Sequence, residues 1–245
     1  MRNLRMLVEY DGTNYHGWQT QLDQVTIQST IEKSIERITQ ERMNLTGSGR
    51  TDAKVHAFGQ VANFRSKTNI EAPLLKKALN SLLPEDVVIK KMEEAPLEFD
   101  SCIDALSKTY RYSILNRPEP CAIGRFYSSQ VARPLDVEAM EEASAYLLGE
   151  HDFSSFRSSS CSARNPIRNV QQAEFRKEDD LIHFYIQGSG FLHHMVRCIV
   201  GTLMDVGRGK ITSSDFRGIL EAKDRRLAGR TARPQGLCLM EVRYP

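Results

Sequence analysis

The chain has 245 residues, of which 40% are hydrophobic and 26% charged, a composition that excludes disordered and fibrous proteins. Its net charge of +2 is too small to indicate a nucleic-acid partner by itself. From Arg157 onward, however, 15 lysines and arginines oppose nine acidic residues, a net charge of +6, which leaves −4 for the preceding residues. This basic excess fits a phosphate-binding face and equally a solvated helix end; it includes Lys223, Arg225, Arg226, Arg230 and Arg233.

The first half of the chain predicts the element order β-α-β-β-α-β. Ile27, Ile31 and Ile35 recur at helical spacing behind Thr26, a typical N-cap residue. Pro84 ends the second helix. The expected elements are a strand at 3–10, a helix from 27, a short strand near 43–47, a strand at 55–65, a helix at 74–82 and a strand at 87–89.

The second half repeats this order, although no repeat is visible in the residues themselves. The expected elements are a strand at 109–114, a helix near 135–148, strands near 168–177 and 181–188, helices near 190–206 and 213–222, and a strand at 237–242. The serine-rich stretch from Gly149 to Pro166 predicts a long loop, either functional or a plain surface excursion. We therefore expect an α+β fold of two ferredoxin-like domains, 1–104 and 105–245.

The terminus and the cysteines bear on location and metal binding. Residues 1–10 lack the apolar region of a signal peptide, and the apolar stretch from Phe191 to Val206 is too interrupted to span a membrane. The five cysteines are scattered without a Cys-x-x-Cys pair, which favours reduced thiols in a cytoplasm. His194 and Cys198 have helical i, i+4 spacing, but two ligands without a second pair do not make a zinc site. We expect a cytoplasmic protein without metal.

The densest polar cluster is Gly47-Ser-Gly-Arg-Thr-Asp-Ala-Lys-Val-His-Ala57. It contains neither the Gly-Lys-Ser/Thr nor the Gly-x-Gly-x-x-Gly pattern of phosphate-binding loops, so a nucleotide cofactor is disfavoured. Taken alone, Asp52 fits the cap of a turn better than a catalytic group. The functional alternative is a carboxylate nucleophile, kept ionised by a neighbouring cation.

This cluster resembles the catalytic motif of TruA-type pseudouridine synthases, in which the aspartate corresponds to Asp52. Further segments resemble the family in the same order along essentially the whole chain: Tyr10 to Gln19, Ser107 to Tyr112, His151 to Phe156, Gly188 to Gly209 and Pro234 to Leu237. Several collinear motifs are far more specific than one, so the resemblance favours the catalytic interpretation of Asp52.

The resemblance implies an isomerase that converts uridine to pseudouridine in the anticodon stem-loop of tRNA, typically at positions 38, 39 and 40. It implies the pseudouridine synthase fold, in which two ferredoxin-like halves share a mostly antiparallel central sheet with the active-site cleft between them. The reaction adds and removes no atoms, so the family needs neither redox cofactor nor metal. The expected partners are tRNA and a second copy of the chain in a homodimer, without a membrane.

The resemblance also implies site residues. Asp52 is the nucleophile, acting on the sugar or the base, and Arg197 forms an ion pair with it. Tyr110 stacks on the target uracil and could help to remove a proton, and Leu192 bounds the base pocket. Without the resemblance, Arg197 fits a surface ion pair, Tyr110 fits ordinary strand packing, and Leu192 fits a place in the core. Arg50 could hold the displaced backbone of a base extruded from the stem, or form a structural salt bridge. His16 and His56 fit scaffold roles better than acid-base catalysis.

Three positions depart from the family pattern. Lys54 stands where glycine is usual, and it strains the loop if that position needs a positive φ. Cys102 replaces a common arginine, and Arg233 lies in a stretch usually richer in proline or small residues. These departures bear on which tRNA positions are modified and on the catalytic rate, and they leave the reaction class unchanged.

Three other functions compete with this one. An RNA-binding or chaperone protein without turnover would keep the fold and the basic surface. A synthase for another RNA would leave anticodon stem-loops unmodified. A hydrolase that uses Asp52 is disfavoured because the sequence has no partner acid-base motif.

Overall fold

The computed structural model describes all 245 residues, which form ten strands and five α-helices in two compact units. In chain order the elements are β1 (Arg2–Tyr10), α1 (Ile27–Thr39), β2 (Thr46–Gly47), β3 (His56–Ser66), α2 (Ala72–Leu82), β4 (Val87–Ala95), β5 (Ser107–Leu115), β6 (Ser129–Gln130), α3 (Val137–Ala145), β7 (Gly149–Asp152), β8 (Ile167–Glu178), β9 (Leu181–Gly188), α4 (Met195–Gly207), α5 (Ser213–Ala222) and β10 (Leu237–Arg243). This mixture of helices and mainly antiparallel strands confirms the predicted α+β class.

The first unit comprises Met1–Leu106 and Cys238–Pro245. Its strands lie in the order β4-β1-β3-β10, with the short β2 also on β3, and only β10 runs parallel to its neighbour. The sequence pattern assigned the last strand to the C-terminal domain. Its hydrogen bonds to β3 place Cys238 and Leu239 opposite His56 and Ala57, in the first unit.

Side-chain patterns explain the elements of the first unit. The predicted stripe Ile27, Ile31 and Ile35 of α1 is fully buried, because these side chains lie on one face of the helix. Thr26 caps the helix as predicted and forms a capping box with Ser29. The β-α-β-β-α-β order expected for residues 1–95 is confirmed.

The second unit, Ser107–Leu237, has the strand order β5-β9-β8-β7, with β6 parallel to β5. Helices α3, α4 and α5 supply a core that includes Met140, Ile199, Leu203 and Phe216, all fully buried. Strands β8 and β9 form a hairpin whose turn contains Asp179 at φ +52.

The expected long loop from Gly149 to Pro166 is wrong in its first half. Residues Gly149–Asp152 form β7, which pairs antiparallel with β8, and Ser154–Phe156 form a single 3-10 turn. Phe153 and Phe156 are fully buried. These two aromatic side chains anchor the stretch in the core, although most of the residues around them are serines. No helix in the structure is long and apolar enough to cross a membrane.

Candidate active site

Asp52 lies in the first unit, on the loop that joins β2 to β3. Its side chain is partly exposed, and the residue before it, Thr51, is buried. The amide of Val55 donates to the carbonyl of Asp52 at 3.1 Å and closes a turn directly after the carboxylate residue. The loop therefore presents Asp52 on a short, hydrogen-bonded turn.

Thr51 is the anchor of this loop. Its carbonyl accepts a hydrogen bond from the amide of Trp18 at 3.0 Å, and its hydroxyl lies 2.7 Å from that of Tyr10. Trp18 and Tyr10 are themselves buried. Both backbone and side chain of the residue next to Asp52 are thus held by core residues, which limits the movement of the carboxylate.

A glycine makes the close approach of the Trp18 segment possible. Gly17 adopts φ +90, and a Cβ there would lie 2.6 Å from the carbonyl oxygen of Thr51. Such a contact is shorter than van der Waals packing permits, so a side chain at this position would displace the Asp52 loop. The segment Tyr10 to Gln19, found in the sequence as a family-like motif, supports the loop.

Lys54 adopts φ +65, in the left-handed region that favours glycine. The loop strain expected of a lysine with a positive φ at this position is therefore present. The side chain of Lys54 is exposed and forms no hydrogen bond or ion pair. Nothing in the fold offsets the strain by binding this ammonium group.

Arg50 is exposed, two residues before Asp52. It forms no salt bridge, so its alternative role as part of a structural salt bridge is wrong. Its guanidinium is therefore available to an anionic ligand.

The predicted histidines differ in their surroundings. His56 is buried, and its Nδ1 lies 3.1 Å from the amide of Gly12 and 3.0 Å from Oδ1 of Asp11. These contacts tie the start of β3 to the turn after β1. His16 is exposed.

Tyr110 lies in the second unit on β5, and its ring is 6% exposed. Phe191 contacts it edge-on, with ring centroids 5.1 Å apart and an interplanar angle of 85°. Leu192, the residue after Phe191, is also buried. The edge contact is a favoured geometry for aromatic pairs and fixes the orientation of the Tyr110 ring.

Arg197 lies in the first turn of α4, also in the second unit. Its Nε donates to the carbonyl of Ala232 at 2.9 Å, and the amide of Ala232 donates to the carbonyl of Arg197 at 3.0 Å. This reciprocal pair fixes the guanidinium plane relative to the backbone.

Tyr112, two residues along β5 from Tyr110, has a structural role. It is fully buried, and its hydroxyl donates to the carbonyl of Arg233 at 2.8 Å. Burial raises the pKa of Tyr112 to about 12, so the phenol stays protonated and is unsuited to act as a base.

The structure thus groups the predicted site residues by unit. Arg50 and Asp52 share the β2–β3 loop, while Tyr110, Leu192 and Arg197 lie in the second unit. The ion pair between Asp52 and Arg197 stays a prediction. Sequence reasoning missed the supporting residues Phe191 and Ala232; Phe191 lies within a recognised motif, whereas nothing in the sequence near Ala232 indicates its bond to Arg197.

The chain is similar to known proteins along its whole length. A family model described as tRNA pseudouridine synthase matches residues 6–103 and 143–245. The chain is 47% identical over 244 residues to the tRNA pseudouridine synthase A of Acetivibrio thermocellus, covering 100% of both chains. It is 44% identical over 244 residues to the protein of that name from Clostridium acetobutylicum, again covering 100% of both. Among solved structures, a chain from the crystal structure of a Cbf5-Nop10-Gar1 complex is 14% identical with a TM-score of 0.37, covering 97% of this chain and 58% of that one, a likeness too weak to support an inference.

Proposed function

The chain belongs to the tRNA pseudouridine synthase family and is an isomerase, and we propose that it acts on the anticodon stem-loop of tRNA, at positions 38, 39 and 40. The observation that carries the assignment of its site is the loop at Asp52. A partly exposed carboxylate stands there on a turn whose neighbour, Thr51, is held by two core residues. Preorganisation of this kind is what a nucleophile requires.

In the proposed reaction the bond between C1′ of the ribose and N1 of uracil breaks, with Asp52 attacking the nucleoside or stabilising the positive charge that develops on the ribose. The uracil turns and its C5 bonds to C1′, and where Asp52 has bonded to the nucleoside that bond breaks, which restores the free carboxylate. C5 then loses its proton, and N1 ends the reaction protonated. The atoms balance without an oxidant or a second substrate.

The remaining site residues have distinct proposed roles. Tyr110, oriented by Phe191, stacks on the uracil, and its hydroxyl takes part in moving the C5 proton. Leu192 bounds the apolar side of the pocket. Arg197 pairs with Asp52 and keeps it ionised, a task that suits the guanidinium geometry.

Arg50 acts on the RNA rather than on the base. The target uridine must leave the stack before a carboxylate can reach it, which costs a few kcal/mol. An exposed guanidinium without a protein partner, two residues from Asp52, can offset part of that cost by binding the displaced backbone.

The proposal extends to assembly and location. We expect a homodimer whose two subunits both contact one tRNA. Light scattering would measure the molar mass of the free protein and of its tRNA complex, and thus the number of subunits bound to each tRNA. Five scattered cysteines without a Cys-x-x-Cys pair support a cytoplasmic location. The division into the domains 1–104 and 105–245 stays a proposal. Strand β10 falls in the second of these ranges but bonds to β3 of the first.

The proposed activity is tested by tritium release from tRNA labelled at C5 of uridine, because formation of the new carbon bond expels that hydrogen. Wild type should release tritium and Asp52→Asn should not, while its tRNA affinity stays within about tenfold, or ~1.4 kcal/mol. Asp179→Asn, in the exposed β8–β9 turn, is the matched control and should behave as wild type.

Treating the product with a carbodiimide that forms a stable adduct with pseudouridine, and mapping the resulting reverse-transcription stops, locates the modified positions. Pseudouridine at 38, 39 and 40 would support the proposal as stated. Modification of another RNA, with anticodon stem-loops untouched, would contradict the substrate. A folded wild type that binds tRNA without releasing tritium would favour an RNA-binding protein.

A further inference from the structure

We infer that Arg230 and Arg233 form a two-point clamp for RNA phosphates, beside the elements that carry Tyr110 and Arg197. The inference rests on the proposed function, because it names the surface that holds the same substrate. Three sets of observations support it: the partners of the basic residues, the anchoring of the segment between them, and the identity of the anchoring residues.

Three of the five residues in the basic run have partners within the protein. Arg226 forms an ion pair with Asp224, and Lys223 lies 3.8 Å from a carboxylate oxygen of Asp152. Arg225 donates to the carbonyls of Ala228 and Gly229 and to the hydroxyl of Thr231. A ligand phosphate would therefore have to compete with a protein partner at each of these three residues.

Arg230 and Arg233 differ from these three. Both are exposed, and their side chains form no hydrogen bond or ion pair. Free guanidinium groups bind phosphate oxygens in bidentate geometry and, unlike a paired arginine, have no carboxylate to release first. Of the five basic residues in this run, only Arg230 and Arg233 therefore have side chains that no other protein group binds.

The backbone between them is anchored at its first half by α4. Gly201 lies so close to Arg230 that a Cβ there would be 1.7 Å from the carbonyl oxygen of Arg230. The amide of Gly229 donates to the hydroxyl of Thr202 at 2.9 Å. The start of the segment therefore lies directly on the helix.

The second half is anchored by Arg197 and Tyr112. Ala232 exchanges two hydrogen bonds with Arg197, and the carbonyl of Arg233 accepts from the hydroxyl of Tyr112. A segment whose backbone is held by four residues loses little backbone entropy when it binds a ligand, so the Cα positions of its two arginines are preorganised.

The anchors identify what the clamp would hold. Arg197 and Tyr112 belong to α4 and β5, the elements that carry the proposed ion-pairing arginine and, in Tyr110, the proposed stacking residue. Arg230 and Arg233 are three positions apart, at most ~11 Å between Cα atoms. Such a pair suits nearby phosphates on one strand, and we assign it to the strand that carries the target uridine.

The test measures affinity for an unmodified tRNA transcript by filter binding over a series of NaCl concentrations. Arg230→Gln with Arg233→Gln is compared with the control pair Arg176→Gln and Arg217→Gln, which removes the same charge from exposed, ion-paired positions in the same unit. Loss of two phosphate contacts should flatten the dependence of log K on log salt by about 1.4 to 1.8. Affinity at low salt should fall at least tenfold relative to the wild type.

Each outcome bears on the clamp. A double variant with the control pair's slope would overturn it. Arg230→Lys with Arg233→Lys keeps both charges and should retain the slope, and thermal unfolding shows whether the variants stay folded. Failure of the wild type to bind tRNA or release tritium would contradict the proposed function instead. An active wild type whose glutamine variant keeps the wild-type slope would contradict the clamp alone.

Discussion

Arg197 and Ala232 exchange two hydrogen bonds, one from the guanidinium Nε to a carbonyl and one from amide to carbonyl. One donor of the arginine is thereby committed to the backbone, and the orientation of the remaining guanidinium edge follows from it. A residue proposed to pair with the nucleophile is thus held by the same segment that carries Arg230 and Arg233.

Arg197→Lys should lower kcat about 10- to 100-fold, although the positive charge is kept. The guanidinium of arginine can bond Ala232 through one nitrogen and Asp52 through another, whereas lysine has a single nitrogen. The lysine ammonium is therefore less well positioned to pair with Asp52. Single-turnover tritium release measures the effect. Arg217→Lys on α5 is the control, and equal rates for the two variants would show that the geometry of Arg197 is unimportant.

Tyr110→Phe should reduce kcat about 100-fold and leave KM for tRNA within about threefold. The ring and its contact with Phe191 remain, so stacking survives while the hydroxyl is lost. Tyr185→Phe, on the neighbouring β9, is the matched control. Full activity of Tyr110→Phe would remove the hydroxyl from proton transfer and leave Tyr110 as a stacking residue.

Lys54→Gly should have a free energy of unfolding about 0.5 to 1 kcal/mol higher than that of Lys54→Ala. Both variants lose the ammonium group, but only glycine adopts φ +65 without strain. Urea denaturation of the two variants isolates the backbone effect. An alanine variant as stable as the glycine variant would mean that the loop relaxes around a Cβ.

Two helical glycines should respond oppositely to alanine. Gly201→Ala places a Cβ against the carbonyl of Arg230 and should destabilise the protein by about 1 to 3 kcal/mol. Gly218, in α5, has open space at the Cβ position, so Gly218→Ala should stabilise the protein by about 0.5 to 1 kcal/mol. Thermal unfolding decides between this result and equal effects, which would contradict the close approach at Gly201.

Local patterns were sufficient for much of this protein. The isoleucine stripe behind Thr26 predicts α1 because a helix needs only its own side-chain period and cap to be recognised. The run containing Asp52 is contiguous in sequence and makes Asp52 a candidate, but the catalytic interpretation depends on several further motifs in the same order along the chain. The helix can therefore be predicted from about a dozen neighbouring residues, whereas the nucleophile requires motifs from the whole sequence.

Long-range contacts decided the rest. The strand β7 forms because it pairs with β8 and because Phe153 and Phe156, which follow it, are buried in the core. The local sequence shows neither the pairing with β8 nor the core residues that surround the two phenylalanines. Strand β10 follows the second unit in sequence but bonds to β3. Arg225 and Arg230 look alike in sequence; only the fold ties one to its own loop and leaves the other free. The sequence by itself determined which chemical groups the protein has. The tertiary structure decided which of these groups have partners within the protein and which are exposed to solvent, because folding alone brings together hydrogen-bond partners that are distant in sequence.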